Sequence, residues 1–365
     1  MTTTISLSRG VPSSDLLAVS AIAEAARDAV IDDPDLALGY GSPAGHPALR
    51  GWFAESLGVE VERVLLTNGS LQGLAFLAPQ LAGPADWIAV ESPTYDLSLG
   101  RLRATGARLV EIPVVHDGID LERLELQVAA DGPPAFCYTI PTFHNPTGST
   151  MKAGRRRALL ALARERDFPV VEDDPYRLLS FEGEPPPTLL SSDPERVIHL
   201  TSLSKTVAPG LRCGALVLPP ELFARIAAIV QSTYIAPGHL GQATAARYLR
   251  SPEFTAGLAE AVGELRLRRD RLLAGLQRLG LPCETPAGGY FAWPQVPGID
   301  ADELAQAARR RGLEVIPGSR FFSGRGGAHR LRLTWAAAQA EEIDAAIDRL
   351  GRALRDHAPT FTTIT

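Results

Sequence analysis

Four stretches of the chain place reactive or ligand-holding residue types directly after short apolar runs. The first is Thr67-Asn68-Gly69-Ser70-Leu71-Gln72, which opens a helical pattern. Glycine permits a tight turn there, and the free N–H groups of a helix start favour an anion such as phosphate. An ordinary N-cap by Ser70 would use the same residues. The second, Pro141-Thr142-Phe143-His144-Asn145-Pro146-Thr147-Gly148, is stiffened by two prolines and closed by a glycine. It either presents Asn145 in a defined direction or is a plain strand-to-helix turn.

The third stretch, Glu172-Asp173-Asp174-Pro175-Tyr176, ends an apolar run with three carboxylates. They fit a metal site, a solvated turn, or one buried acid set against a cationic ligand. No histidine lies nearby in sequence, which weakens the metal reading, and no metal is expected. The fourth runs from Thr201 to Arg212 and contains Ser202-Leu203-Ser204-Lys205 followed by Pro209-Gly210. A lysine among small hydroxyl residues, between a strand and a Pro-Gly turn, suits Schiff-base chemistry if buried. It is a simple solvated cation if exposed. Arg212 and the serines would suit a phosphate dianion, because guanidinium pairs with it bidentately.

The elements that must position these stretches are legible as alternating patterns. Short apolar runs at 64–67, 87–90, 109–112, 135–140, 169–172, 197–201 and 213–218 predict strands. Helical patterns separate them, as at 154–166, where Leu159, Leu160 and Leu162 share an apolar side opposite several arginines. The alternation predicts an α/β fold with a mostly parallel, seven-stranded sheet flanked by helices. Ligands of such sheets sit beyond the carboxyl ends of the strands, where the four stretches fall, so they should share one site. After Pro219 the pattern changes. A long helical region at 240–279, strands at 290–293 and 331–335, and helices at 302–311 and 340–354 predict a smaller C-terminal α+β domain. The expected division is 1–40 as an N-terminal arm contributing to the small domain, 41–240 as the large domain and 241–365 as the small one.

Bulk properties narrow the partners. The 365 residues are 45% hydrophobic and 21% charged, with a formal net charge of −6. No global basic field attracts nucleic acid or an anionic membrane, although a local cationic pocket is compatible with this balance. Cys137, Cys213 and Cys283 lie far apart and form no C-x-x-C pair, which argues against a disulfide framework. The start, MTTTISLSRG, has no charged leader before an apolar core, and no apolar run reaches the roughly 18 residues of a membrane span. A cytoplasmic protein is expected.

Taken together, N-P-T-G at 145–148, D-x-P-Y at 173–176 and S-L-S-K-x-x-x-P-G-x-R at 202–212 resemble the class I aminotransferases, of fold type I among pyridoxal-phosphate (PLP) enzymes. The resemblance runs from about Tyr40 to Arg332. It implies that Lys205 forms the Schiff base with PLP and shuttles the proton of the reaction. It implies that Asp173 pairs with the pyridine nitrogen, with Asp174 as the rival, and that Asn145 and Tyr176 hydrogen-bond the phenolic oxygen. Tyr95 matches the aromatic residue stacked on the ring. Ser70, the Leu71 amide, Ser202 and Arg212 match the phosphate cradle, with Ser204 and Gln72 as additions. Tyr40 looks like the tyrosine that reaches the phosphate of a neighbouring subunit, which implies a homodimer with shared sites. Arg332, rather than Arg330, is similar to the arginine that clamps the substrate carboxylate beside Asn145. Gly289-Tyr290-Phe291-Ala292-Trp293 and Pro317-Gly318 agree with the family's small domain.

Two departures stand out. His144 occupies a position where relatives often carry Gln. The segment Ser8 to Asp15 is short and only loosely resembles the arm that covers the substrate; Asp15 either meets a basic substrate or caps a helix. The expected activity is amino transfer between an L-amino acid and a 2-oxo acid, with specialised amino-acid biosynthesis as one setting. The alternatives are another PLP reaction on the same scaffold (β-lyase, decarboxylase, racemase or oxidase) and the sensor half of a winged-helix regulator. Few residues precede Tyr40 and the net charge is negative, so no DNA-binding role is expected.

Overall fold

The computed structural model describes residues 4–356. A short strand Ile5–Ser6 (β1) opens the chain, and the apolar runs of the main sheet follow: Val64–Thr67 (β2), Trp87–Ser92 (β3), Arg108–Val115 (β4), Gly118–Ile119 (β5), Phe136–Thr139 (β6), Val170–Asp173 (β7), Val197–Ser202 (β8) and Gly214–Val217 (β9). Their order across the sheet is β2-β9-β8-β7-β6-β3-β4-β5. Pairs β8·β7, β7·β6, β6·β3 and β3·β4 are parallel, while β9 runs antiparallel to both of its neighbours. All seven expected strands are present. The eighth, β5, is a two-residue return after His116-Asp117 that pairs with Val114 and Val115. A pattern this short carries no period, so the sequence did not announce it.

Strand alternation explains how the sheet is covered on both sides. Val64, Leu66, Ala89, Cys137, Val170 and Val197 join one apolar cluster, with Phe53, Leu159 and Leu160 from the helices on that side. Leu65, Ile88, Val90, Phe136, Val171 and Ile198 join the other, with Leu74, Leu77 and Leu102. Every second residue serves the opposite face, as the two-residue period of a strand requires.

A second core gathers around Phe291–Ala292 (β10), Leu313–Glu314 (β11), Ile316–Pro317 (β12) and Leu331–Thr334 (β13). Strand β13 is the middle of an antiparallel trio with β10 and β12. The helix Ala340–Arg355 packs here through Ile343, Ile347 and Leu350 and starts in a capping box between Gln339 and Glu342. The long helical region expected at 240–279 is two helices, His239–Leu249 and Pro252–Arg278. Pro252 has no N–H to continue a helix and instead occupies the first turn of a new one.

The stretch 1–40, expected as one arm beside the small domain, divides between the two cores. Strand β1 pairs in parallel with β11, and Ile5 and Leu7 enter the second core. The helix Val19–Asp32 instead lays Ala21, Ile22 and Ala25 against the main core, beside His239–Leu249. The pattern of this helix shows that one side is apolar but not which partner that side meets.

Candidate active site

A cavity of about 460 Å³ opens at the carboxyl ends of the central strands, and residues from all four chemical stretches line it. Strand β7 delivers its acids to opposite faces. Glu172 turns away, accepts the N–H groups of Leu189 at 2.8 Å and Leu190 at 3.0 Å, and pairs with His199 at 2.9 Å. Asp173, one residue on, lines the cavity. Its Oδ2 accepts the Tyr138 hydroxyl at 2.6 Å, and its Oδ1 is buried with no partner. Burial pushes the Asp173 carboxyl up to about 6, against the pull of that hydrogen bond and of His199 and Lys205. Asp174 is buried too and pushed up to about 6, by burial and then by the charge of Glu172, but it does not line the cavity. Among the described residues no group of His, Cys, Asp and Glu could hold a metal ion.

Lys205 projects from the loop after β8 into the same cavity. Its Nζ donates to the carbonyl of Gly10 and lies 5.8 Å from the centre of the Tyr176 ring and 6.0 Å from that of Tyr290. The Tyr290 hydroxyl donates to the Lys205 carbonyl at 2.6 Å, fixing the backbone from which the amine swings. Burial lowers the ammonium pKa to about 8, helped by the positive Arg332 and Arg212 and opposed by Asp173. A useful fraction of free amine is therefore present near neutral pH. Tyr176 is buried against Tyr290 and Phe291, with ring centres 5.5 and 5.8 Å away. Tyr95 also lines the cavity, its phenol pushed up to about 12, chiefly by burial.

One end of the cavity is a cradle of donors. Gly69 adopts φ +94° and starts the helix Ser70–Leu81, so the first-turn N–H groups of Ser70 and Leu71 lie at the cavity wall. Arg212 sits in the left-handed region at φ 54° and donates to the Asn68 carbonyl at 2.8 Å, closing over that helix start. The Ser202 and Ser204 hydroxyls lie 2.9 Å apart on the same wall. A Cβ on Gly214 would come within 2.6 Å of the Ser70 nitrogen, so the cradle tolerates no larger residue there. Such a set can take a phosphate dianion. Gln72 belongs elsewhere: its Oε1 accepts the Asn68 N–H at 2.8 Å and the Tyr234 hydroxyl at 3.1 Å.

The opposite end holds Arg332, buried between the rings of Phe291 at 4.5 Å and Phe321 at 4.8 Å. It donates to Asn145 Oδ1 at 3.0 Å and to the Ser8 carbonyl at 2.7 Å, and its Nε has no partner. Arg330 leaves the cavity and donates to the Trp293 carbonyl at 3.2 Å. His144, beside Asn145, lies 3.2 Å from Glu91 and 2.9 Å from the Thr147 hydroxyl, and so braces the loop from below.

Two further expected residues lie outside the cavity of this chain. Tyr40 is 88% exposed. Asp15 is tied to Arg268, so it does not wait for a substrate cation. The segment that loosely resembled a substrate-covering arm supplies Ser8, Arg9, Gly10 and Val11 to the cavity wall. Two features were not anticipated. Asp96 and Leu97, which follow Tyr95 in the chain, also line the cavity. Tyr138 reaches Asp173 from the neighbouring strand. The last had a readable signal, a phenol in the apolar run of β6.

The comparisons with known proteins agree with this geometry. The family described as aminotransferase class I and II matches residues 2–350. The aromatic-amino-acid aminotransferase 1 of Thermococcus litoralis is 31% identical, over 96% of this chain and 88% of that protein. The 2-aminoadipate transaminase of Thermus thermophilus is 33% identical, over 96% of this chain and 90% of that protein. A solved α-aminoadipate aminotransferase of Thermus thermophilus, in complex with N-(5'-phosphopyridoxyl)-L-leucine, superposes with a TM-score of 0.92 at 32% identity, covering 97% of this chain and 92% of its own. The chain belongs to the class I and II aminotransferases, PLP-dependent transaminases of fold type I. No helix among the described residues is long and apolar enough to cross a membrane.

Proposed function

We propose that the cavity binds pyridoxal 5'-phosphate and that Lys205 is its catalytic amine, transferring an amino group between an L-amino acid and a 2-oxo acid. One observation carries the reading: a buried carboxylate oxygen without a partner, Asp173 Oδ1, shares a cavity with an amine whose pKa is lowered to about 8. Such an oxygen fits a protonated ring nitrogen, and the donors around Gly69 and Arg212 fit a phosphate at the far end. When bound, the cofactor would supply the electron sink for the electrons of the cleaved Cα–H bond.

The chain's own residues do the rest. Lys205 Nζ, as the free amine, takes the substrate proton and returns it. Asp173 keeps the ring nitrogen charged. Asn145 and Tyr176 would hold the ring oxygen, and Tyr95 would cover one ring face. Ser70, the Leu71 amide, Ser202 and Arg212 would hold the phosphate. Arg332 would exchange its contacts with Asn145 and the Ser8 carbonyl for the substrate α-carboxylate.

The exposure of Tyr40 supports a homodimer in which this ring completes the partner's phosphate site. The reading further takes 41–240 and 241–365 as large and small domains and places the protein in the cytoplasm. The test is a half-reaction. Purified holoenzyme mixed with an amino acid, and no acceptor, should convert to the pyridoxamine-phosphate spectrum while releasing one 2-oxo acid per site. Ammonia or carbon dioxide released without that conversion would instead point to a lyase or decarboxylase.

A further inference from the structure

Tyr138 sits in the middle of β6, fully buried, and does not line the cavity. Its hydroxyl oxygen lies 2.6 Å from Asp173 Oδ2 and 2.9 Å from the Ser98 Oγ. A phenol has one proton, and a carboxylate is the stronger acceptor, so that proton goes to Asp173. Ser98 must then donate its own proton to the phenol oxygen. The result is a directed relay, Ser98 to Tyr138 to Asp173, among buried groups, where each bond polarises the next. Burial pushes the Tyr138 phenol well above its ordinary value, so it remains a donor. Ser98 belongs to the helix Asp96–Arg103, which begins one residue after Tyr95.

We propose that Tyr138, seated by Ser98, is a positioning residue that grips one oxygen of Asp173 and so keeps the other, Oδ1, turned toward the cavity. The inference rests on the reading of Asp173 as partner of the cofactor ring nitrogen. The alternative anchors are few. His199 on β8 is committed to Glu172 at 2.9 Å, and Glu91 at the end of β3 accepts from Thr139 at 2.6 Å and Ile140 at 2.7 Å. Lys205, Tyr95 and Tyr176 also face Asp173 electrostatically, but no hydrogen bond joins any of them to it. Among the described residues Tyr138 alone hydrogen-bonds its carboxylate, so without it the group is free to rotate and to take up a proton.

The test has two readouts. In the cofactor-free protein, the Asp173 carboxyl is titrated by carbon-13 NMR, with Asp173→Asn supplying the assignment. Tyr138→Phe should raise the midpoint by about one pH unit, a tenfold gain in proton affinity, and Ser98→Ala should raise it by less. In binding, the preference for PLP over its analogue with carbon in place of the ring nitrogen should fall about tenfold in Tyr138→Phe and vanish in Asp173→Asn. An unmoved midpoint and an unmoved preference in a Tyr138→Phe protein of wild-type fold would overturn the proposal. If that variant does not fold, Ser98→Ala, which leaves the ring in place, decides by the same two readouts. A wild type indifferent to the ring nitrogen would sink the reading of Asp173, while the NMR midpoint would still judge Tyr138.

Discussion

Arg332 on β13 donates to Asn145 on the loop after β6 at 3.0 Å, so a hydrogen bond between the second core and the loops of the main sheet lies at the cavity. Both residues are buried, and the guanidinium lies 4.5 and 4.8 Å from the centres of two phenylalanine rings. An arginine held that way presents a fixed fork that suits a carboxylate. Replacing it with lysine keeps the charge and loses the fork. Arg332→Lys should therefore lower kcat/KM for amino acids by about a hundredfold, roughly 3 kcal/mol, within the range for truncating a buried charge pair. Amines lacking a carboxylate should lose much less. Steady-state kinetics on both substrate types would check this.

Asp173→Asn removes the charge and keeps the shape. Turnover should drop by roughly a hundredfold or more, in line with about 2–5 kcal/mol for an uncompensated buried charge. Because Tyr138 can still donate to the amide oxygen, the fold should hold, and unchanged circular dichroism would show it.

Gly69 is the conformational key to the cradle. Its φ of +94° disfavours any side chain, and an added Cβ would collide with the Arg212 guanidinium. Gly69→Ala should weaken PLP binding about tenfold or more while affecting pyridoxal, which lacks the phosphate, far less. Equilibrium titration with both vitamers measures the difference.

The Lys205 amine has a pH signature in the cofactor-free protein. Its pKa is lowered from 10.5 to about 8, so its reaction with an amine-selective acylating reagent should rise through pH 8. Removing the positive Arg332 should move that midpoint up, and removing the negative Asp173 should move it down. The sign carries over to stability. The unfolded chain binds the lysine proton more tightly than the native one, so stability contributed at this site grows as pH rises from about 8 to 10.5. Chemical denaturation at both ends of that window, against Lys205→Met, would show it.

If Tyr40 completes the neighbouring subunit's site, Tyr40→Ala should cost about tenfold in cofactor affinity although the residue is exposed in its own chain. Mixing inactive Lys205→Ala chains with Tyr40→Ala chains should restore activity, because one site of each mixed dimer then carries neither change. A verified mixed dimer without recovery would mean that the sites are not shared.

Much of this site was legible in the sequence because its residues follow strand ends, where apolar runs stop abruptly at Thr67, Ile140, Asp173 and Ser202. The strand period also explains why Asp173, and not Glu172 or Asp174, enters the cavity, although the three acids look equivalent in sequence. What stayed hidden depends on contacts between distant segments. The segment Ser8 to Val11 bore only a loose resemblance to a covering arm, and what seats it at the cavity is the grip of Arg332 and Lys205 on the carbonyls of Ser8 and Gly10, which leaves no mark in a sequence. The split of 1–40 between two cores depends on which apolar surface the helix Val19–Asp32 meets, and its own pattern does not encode that.

The most direct test of the account is covalent. The chain contains two lysines, exposed Lys152 and enclosed Lys205. Borohydride reduction of the holoenzyme, followed by peptide mass mapping, should place a single phosphopyridoxyl group on Lys205 and none on Lys152. Label on Lys152 or on the amino terminus, or a colourless protein carrying no label, would contradict it.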